Sequence, residues 1–288
     1  MTTFTAAVLQ MRSGTEPETN VAALTALVEA AVAKGATYIQ SPEMTGMLCR
    51  DRATLRERLR PEASDPVLAA ASGLARRHGV FLHVGSTAIA LDDGQVANRA
   101  ALFGPDGARL AAYDKIHMFD VDLDNGESWR ESATYRPGAS AALADLAMAS
   151  GPVRLGFAVC YDMRFPMLFR EEALAGAEVL TVPAAFTRQT GEAHWHVLLR
   201  ARAIENGAFV VAAAQGGVHE DGRETYGHSI IIDPWGRVLA EIDGNEPGLA
   251  LAEIDTTLVA ETRRKIPNLM NTRPFEMRLF GRAAEAAE

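Results

Sequence analysis

The stretch Val153-Arg154-Leu155-Gly156-Phe157-Ala158-Val159-Cys160-Tyr161-Asp162-Met163-Arg164-Phe165-Pro166 decides the fold. Its first half, Val153 to Val159, is an apolar run of strand length that stops at a cysteine. Its second half leads into a helix-spaced segment, Arg164 to Leu174, closed by Gly176. A side chain at such a junction points out of the sheet edge toward a helix N-terminus. Unpaired amides and the helix dipole favour a thiolate there. Ligands of open α/β sheets also gather at strand carboxyl ends. Cys160 is therefore a candidate nucleophile, set against the ordinary alternative of a buried structural cysteine.

The same alternation extends in both directions. On the N-terminal side, Thr5 to Met11 reads as a strand and Thr19 to Lys34 as a helix ended by Gly35. Ala36 to Gln40 is a strand leading into Ser41-Pro42-Glu43. Asp65-Pro66 opens a helix that Gly79 closes. Val80 to Thr87 and Val96 to Phe103 follow as strands, with a hairpin turn at Asp106-Gly107. His117 to Pro137 is irregular and polar, and loops of that length in a compact domain are usually functional. On the C-terminal side come strand Val179 to Pro183, helix Glu192 to Asn206 and strand Phe209 to Ala214. Strands joined by Gly and Pro turns then run from Tyr226 to Glu253. Strands alternating with helices predict an α/β fold. No linker or repeat interrupts it, so residues 1–280 are expected to form one domain. The Ala- and Glu-rich tail at 281–288 is expected to fray.

Composition narrows the function classes. Of 288 residues, 48% are hydrophobic and 23% charged, as in ordinary globular proteins. The net charge of −9 argues against a nucleic-acid partner, which would need a basic face. The basic clusters Arg76-Arg77-His78 and Arg263-Arg264-Lys265 read as solvated helix ends. No apolar run reaches membrane-span length, and the N-terminus does not read as a signal peptide. With only two cysteines, Cys49 and Cys160, a reducing cytoplasm is expected. Cys49 has no catalytic partner in view and is expected to be inert.

A nucleophilic cysteine needs a base. None of the seven histidines lies in a pattern that marks it as one, and neither zinc spacings nor glycine-rich phosphate fingerprints occur. No metal or other cofactor is expected. Two charged residues stand out by position instead. Glu43 follows a strand beside a proline, and Lys115 ends the run Leu110 to Ile116. From spacing alone, surface charges remain the commoner reading of both.

At these three residues the chain resembles the nitrilase superfamily of carbon–nitrogen hydrolases. The resemblance rests on Ser41-Pro42-Glu43, Tyr113-Asp114-Lys115-Ile116-His117 and Gly156-Phe157-Ala158-Val159-Cys160-Tyr161-Asp162-Met163-Arg164-Phe165-Pro166. It continues through Gly191-Glu192-Ala193-His194-Trp195, Leu199 to Asn206, Tyr226-Gly227-His228-Ser229 and Asp233-Pro234-Trp235-Gly236. In this order the motifs span about residues 4–280. The branch most similar is that of amidases acting on deaminated glutathione and related ω-amides. The chain departs from that branch at Glu192, where proline is frequent, and in the acidic stretch before Glu131.

The resemblance implies a four-layer α-β-β-α sandwich and an enzyme that hydrolyses a small linear carboxamide to the acid and ammonia through a cysteine thioester. It implies Cys160 as nucleophile, Glu43 as general base, and Lys115 with the backbone N–H of Tyr161 as oxyanion donors. Glu131, in Glu131-Ser132 before Pro137-Gly138, is implied as the partner of Lys115. Substrate contacts are expected from Arg164, suited to a carboxylate by its bidentate fork, and from Phe186 and Thr190. Trp195 is expected to pack, and Arg202 and Glu205 to pair. The implied partners are a small-molecule amide and further copies of the chain, as a homodimer or larger homo-oligomer. N-carbamoyl amino-acid or nitrile hydrolysis by the same Glu-Lys-Cys set is the alternative chemistry.

Overall fold

A computed structural model of the protein describes residues 2–123, 126 and 128–280. The expected frayed tail at 281–288 lies outside the described residues.

Two six-membered strand paths dominate. The first sheet runs in the order Gly248–Asp255, Thr3–Gln10, Tyr38–Gln40, Phe81–Ala90, Val96–Phe103 and Arg109–Asp114. The second runs Val238–Glu241, Ile230–Ile232, Phe209–Ala212, Val179–Thr181, Gly151–Phe157 and Leu143–Met148. Each has a parallel centre and antiparallel flanks. Tyr38–Gln40 pairs parallel with both neighbours, and so does Val179–Thr181. Parallel neighbours require crossovers, which the helices Pro17–Ala33, Pro66–His78, Pro166–Leu174 and Arg188–Asn206 supply.

The period-two alternation of the strands sorts side chains into layers. In the first strand Phe4, Ala6 and Val8 join one core with Leu155, Phe157 and Val210 of the second sheet. Ala7 and Leu9 point the other way, onto Leu24 and Val28 of helix Pro17–Ala33 and Leu68 and Leu74 of helix Pro66–His78. On the far side Phe169, Trp195 and Leu199 cover the second sheet. The result is the four-layer α-β-β-α sandwich.

Local signals explain the helix ends. Asp65 accepts from the amides of Val67 and Leu68 at 3.0 and 2.9 Å, with Pro66 in the first turn. Gly79 and Gly207 end their helices in the left-handed region. Several elements differ from the sequence reading. The helix expected from Arg164 begins at Pro166, because Phe165 before the proline is held out of helical geometry (φ −111, ψ 87). The 117–137 loop contains a small hairpin, Asp120–Asp122 with Ser128–Arg130, and a 3-10 turn at Glu131–Ala133. The helix Arg52–Arg58 and the edge strand Leu143–Met148 had no clear pattern in the sequence.

Buried glutamines clip the sheets together. Gln40 Oε1 accepts from the Ala213 amide and Gln10 Oε1 from the Ser229 amide, both at 2.9 Å. Gln215 reaches back to Ser13 Oγ at 2.8 Å and to the Glu43 carbonyl at 3.1 Å. Each bond runs from one sheet, or the loop it feeds, to the other. Among the described residues no helix is long and apolar enough to cross a membrane.

Candidate active site

The parallel strands of both sheets end at a common edge, and a cavity of about 430 Å³ opens there. Glu43 and Cys160 follow parallel strands of the first and second sheet, and Lys115 follows the antiparallel edge strand Arg109–Asp114. All three line the cavity, together with Glu131, Tyr161, Phe186 and Thr190. Gly85 lets the two halves meet closely. A Cβ there would lie 2.2 Å from the Ser41 carbonyl oxygen and 2.3 Å from Pro183.

Lys115 is the hub. Its Nζ donates to Glu43 Oε1 at 3.0 Å and to both oxygens of Glu131 at 2.9 and 2.8 Å. Glu43 Oε2 accepts from the Ala185 amide at 2.8 Å. Glu131 Oε2 accepts from the Phe119 amide at 2.7 Å. Burial opposes the charge of Lys115, but Glu131 and Glu43 together raise its pKa well above the ordinary value. Burial likewise opposes ionisation of Glu43, yet Lys115 beside it, by charge and hydrogen bond, brings its pKa below the usual value. The Lys115 ammonium thus sits between the Glu43 and Glu131 carboxyl groups and is hydrogen-bonded to both.

Cys160 has the opposite state. Its backbone has φ +50, a region that non-glycine residues seldom occupy and that sites exploit to aim a side chain. Its amide donates to the Pro183 carbonyl at 2.9 Å, which fixes the elbow. Burial pushes the thiol well above its ordinary pKa, and the Glu43 carboxylate adds to the rise. Because the residues after Cys160 form a 3-10 turn and the α-helix starts only at Pro166, no long helix dipole points at the sulfur. The thiolate expected from the strand–helix junction is thus replaced by a thiol hydrogen-bonded to Glu43. The amide of Tyr161 has no backbone acceptor among the described residues and faces no competing bond.

Two residues that the sequence reading did not single out hold this arrangement. Asn98 Nδ2 donates to both Glu43 and Glu131. Asp162, fully buried, accepts from Tyr113 Oη at 2.7 Å, from the His117 amide at 2.9 Å and from the Val159 amide at 2.9 Å. It ties the cysteine elbow to the strand that carries Lys115. A polar residue inside the apolar strand Val96–Phe103 and an aspartate two places after the cysteine were the available signals.

The structure places the expected substrate residues differently from one another. Phe186 and Thr190 line the cavity. The Arg164 guanidinium lies over the Tyr161 and Phe186 rings and 3.4 Å from His194 Nδ1, and Arg164 is not among the lining residues. Cys49, half-buried, does line the cavity. Trp195 is wholly buried and donates to the His228 carbonyl at 2.8 Å. Arg202 and Glu205 form an ion pair.

Among the described residues one cluster has metal-ligating side chains within reach of each other: His196, His228 and Glu241, whose ligand atoms lie within 4.8 Å. It lies outside the cavity lining, and its members are hydrogen-bonded, Glu241 Oε1 lying 2.6 Å from His196 Nε2 and 3.0 Å from His228 Nδ1.

Comparison with known proteins agrees on one family. The carbon–nitrogen hydrolase family model matches residues 5–264. A deaminated glutathione amidase from Synechocystis sp. is 39% identical over 274 residues, covering 94% of this chain and 98% of that protein. The crystal structure of the C. elegans NitFhit protein superposes with a TM-score of 0.85 at 33% identity, covering 94% of this chain and 65% of that one. An amidase from Nesterenkonia sp. AN1, with acrylamide joined by Michael addition to its active-site cysteine, superposes with a TM-score of 0.75 at 26% identity. That match covers 92% of this chain and 98% of that one.

Proposed function

The chain belongs to the carbon–nitrogen hydrolase family and hydrolyses amides, and we propose that it does so through a thioester on Cys160. What carries the reading is the protonated Cys160 thiol set against an ionised Glu43 that Lys115 holds in place.

In this mechanism Glu43 takes the thiol proton as sulfur attacks the amide carbon. The carbonyl oxygen gains negative charge, which Lys115 Nζ and the Tyr161 amide stabilise. Glu43 returns the proton to the departing nitrogen, leaving the acyl group on sulfur. It then removes a proton from water, which releases the acid and restores the thiol. Glu131 anchors Lys115 and keeps it charged throughout. Because the donors are already oriented, little reorganisation is needed as the oxyanion forms.

The substrate class proposed is a small ω-amide such as deaminated glutathione, supported by relatives that bear that name. The same reading takes residues 1–280 as one catalytic domain. It takes the enzyme to be cytoplasmic, in keeping with two free thiols. It also takes the enzyme to be a homodimer or larger homo-oligomer. Met167, Leu174, Val197 and Ile204, exposed on the two helices that follow the nucleophile, support that association.

The test is acid release from a panel of ω-amides, including deaminated glutathione and α-ketoglutaramate, by wild type and Cys160→Ala. Release by the first alone is the expected result. A folded wild type that leaves every amide intact and turns over N-carbamoyl amino acids or nitriles would overturn the proposal.

A further inference from the structure

Four arginines line the cavity beside the catalytic groups: Arg50, Arg52, Arg130 and Arg223. Arg130 is occupied, holding both oxygens of Asp122 at 2.9 Å. Arg223 is not. Its side chain is only 17% exposed, yet its guanidinium makes no hydrogen bond among the described residues, and its buried Nε lacks a partner. The nearest carboxylate oxygen, on Asp221, is 3.7 Å away, beyond hydrogen-bond range. Burial lowers the pKa of Arg223 despite that neighbour, and Glu43 lies near enough for its charge to be felt there.

A second cation comes to the same place. The guanidinium carbons of Arg223 and Arg50 lie 4.5 and 4.3 Å from the Trp129 ring centre. Arg50 also makes no hydrogen bond among the described residues. The three residues come from separate segments: the approach to helix Arg52–Arg58, the hairpin strand Ser128–Arg130, and the turn before Glu224–Tyr226. Two guanidiniums on one indole repel each other, and a buried donor without an acceptor is costly. Both costs disappear when an anion sits between them. A carboxylate fits best, because the planar fork of arginine matches its two oxygens.

We propose that Arg223, with Arg50 at the same Trp129 ring, forms an anion subsite that binds a carboxylate of the substrate remote from the amide being cleaved. The inference rests on the amidase reading and assigns the residues that hold the anionic end of such an amide. Arg223 lines the cavity, while Arg164 stacks on two of its lining rings, Tyr161 and Phe186.

The experiment compares kcat/KM for an ω-amide bearing a free carboxylate with that of its methyl ester, in wild type, Arg223→Gln, Arg223→Lys and Arg50→Gln. Wild type prefers the acid. Arg223→Gln reduces the acid-to-ester ratio by about 10- to 100-fold, the range for losing hydrogen bonds to a charged group. The change appears mainly in KM, as expected for uniform binding. Arg223→Lys restores part of the preference. Arg50→Gln, at an exposed position, reduces it by about 2- to 5-fold for a screened charge and keeps the test open if Arg223→Gln does not fold. A wild type that treats acid and ester alike, or a ratio unmoved in Arg223→Lys and Arg50→Gln, overturns the subsite while the amidase reading stands. Hydrolysis of neither compound by folded wild type removes both.

Discussion

Asn98 Nδ2 donates to Glu43 Oε1 at 2.9 Å, and the same nitrogen reaches Glu131 at 3.2 Å. One side-chain amide therefore spans the two carboxylates that flank Lys115, and holds them apart as well as in place. Asn98→Asp would put a third negative charge between them. The expected outcome is a rise in the pKa of Glu43, because a like charge disfavours ionisation. The acid limb of the kcat/KM profile then moves to higher pH, while Asn98→Ala, which only removes a donor to the Glu43 carboxylate, lowers activity by roughly tenfold and moves the limb less. An unchanged limb in the aspartate variant would mean that Asn98 does not act on the base.

Glu43→Gln separates base catalysis from thiol ionisation. Glu43 raises the pKa of Cys160 by its charge and by its hydrogen bond, second to burial. Removing the charge lowers the thiol pKa, so alkylation by iodoacetamide becomes faster at a given pH. Hydrolysis nevertheless falls by about 10²–10⁴, the usual contribution of a general base. Faster alkylation with lost turnover is the expected pair of results. Slower alkylation would show that Glu43 does not suppress the thiolate.

Glu172 supplies a stability test away from the chemistry. It lies buried beneath the elbow, close to Gly156, with neither oxygen hydrogen-bonded among the described residues. Burial raises its pKa well above the ordinary 4.5, and the charge of Asp162 adds to the rise. The folded state thus retains a proton that the unfolded chain releases. Its stabilising contribution is complete below about the unfolded value and is lost as pH rises toward the folded one. Glu172→Gln, which mimics the neutral acid, should melt progressively higher than wild type as pH is raised from 5 to about 8. Parallel melting curves at all pH values would refute the buried neutral acid.

Periodicity and capping signals made the architecture readable. Asp65-Pro66, Gly79 and Gly207 set helix ends where the sequence placed them, and the apolar run before Cys160 forms a strand, Gly151–Phe157, two residues ahead of the expected span. The proline at 166 also carried information about Phe165, but a helical pattern beginning at Arg164 obscured it. Glu43, Lys115 and Cys160 were conspicuous only through their motifs, since a charge at a strand end is usually solvated. Asn98 and Arg223 were hidden for a different reason. Their importance lies in partners 33 and 55 residues away, or in the lack of a hydrogen-bond partner, and local sequence records neither. Arg164 was visible from its position after the cysteine, and the fold stacks it on the cavity-lining rings of Tyr161 and Phe186, whereas only the folded cavity reveals Arg223 at its border.

Glu43 and Lys115 follow strands of the first sheet and Cys160 a strand of the second, while buried glutamines bind one sheet to the other. The two sheets therefore act as the scales of a vernier, with the reactive contact read at their coincidence. Misplacement of a reacting group by about 1 Å costs roughly 10²-fold in rate. Turnover in this protein is thus a gauge of sheet alignment. Changes at Gln10 or Gln40, on the strands behind the cavity, would register as lost rate before the chain showed any sign of melting.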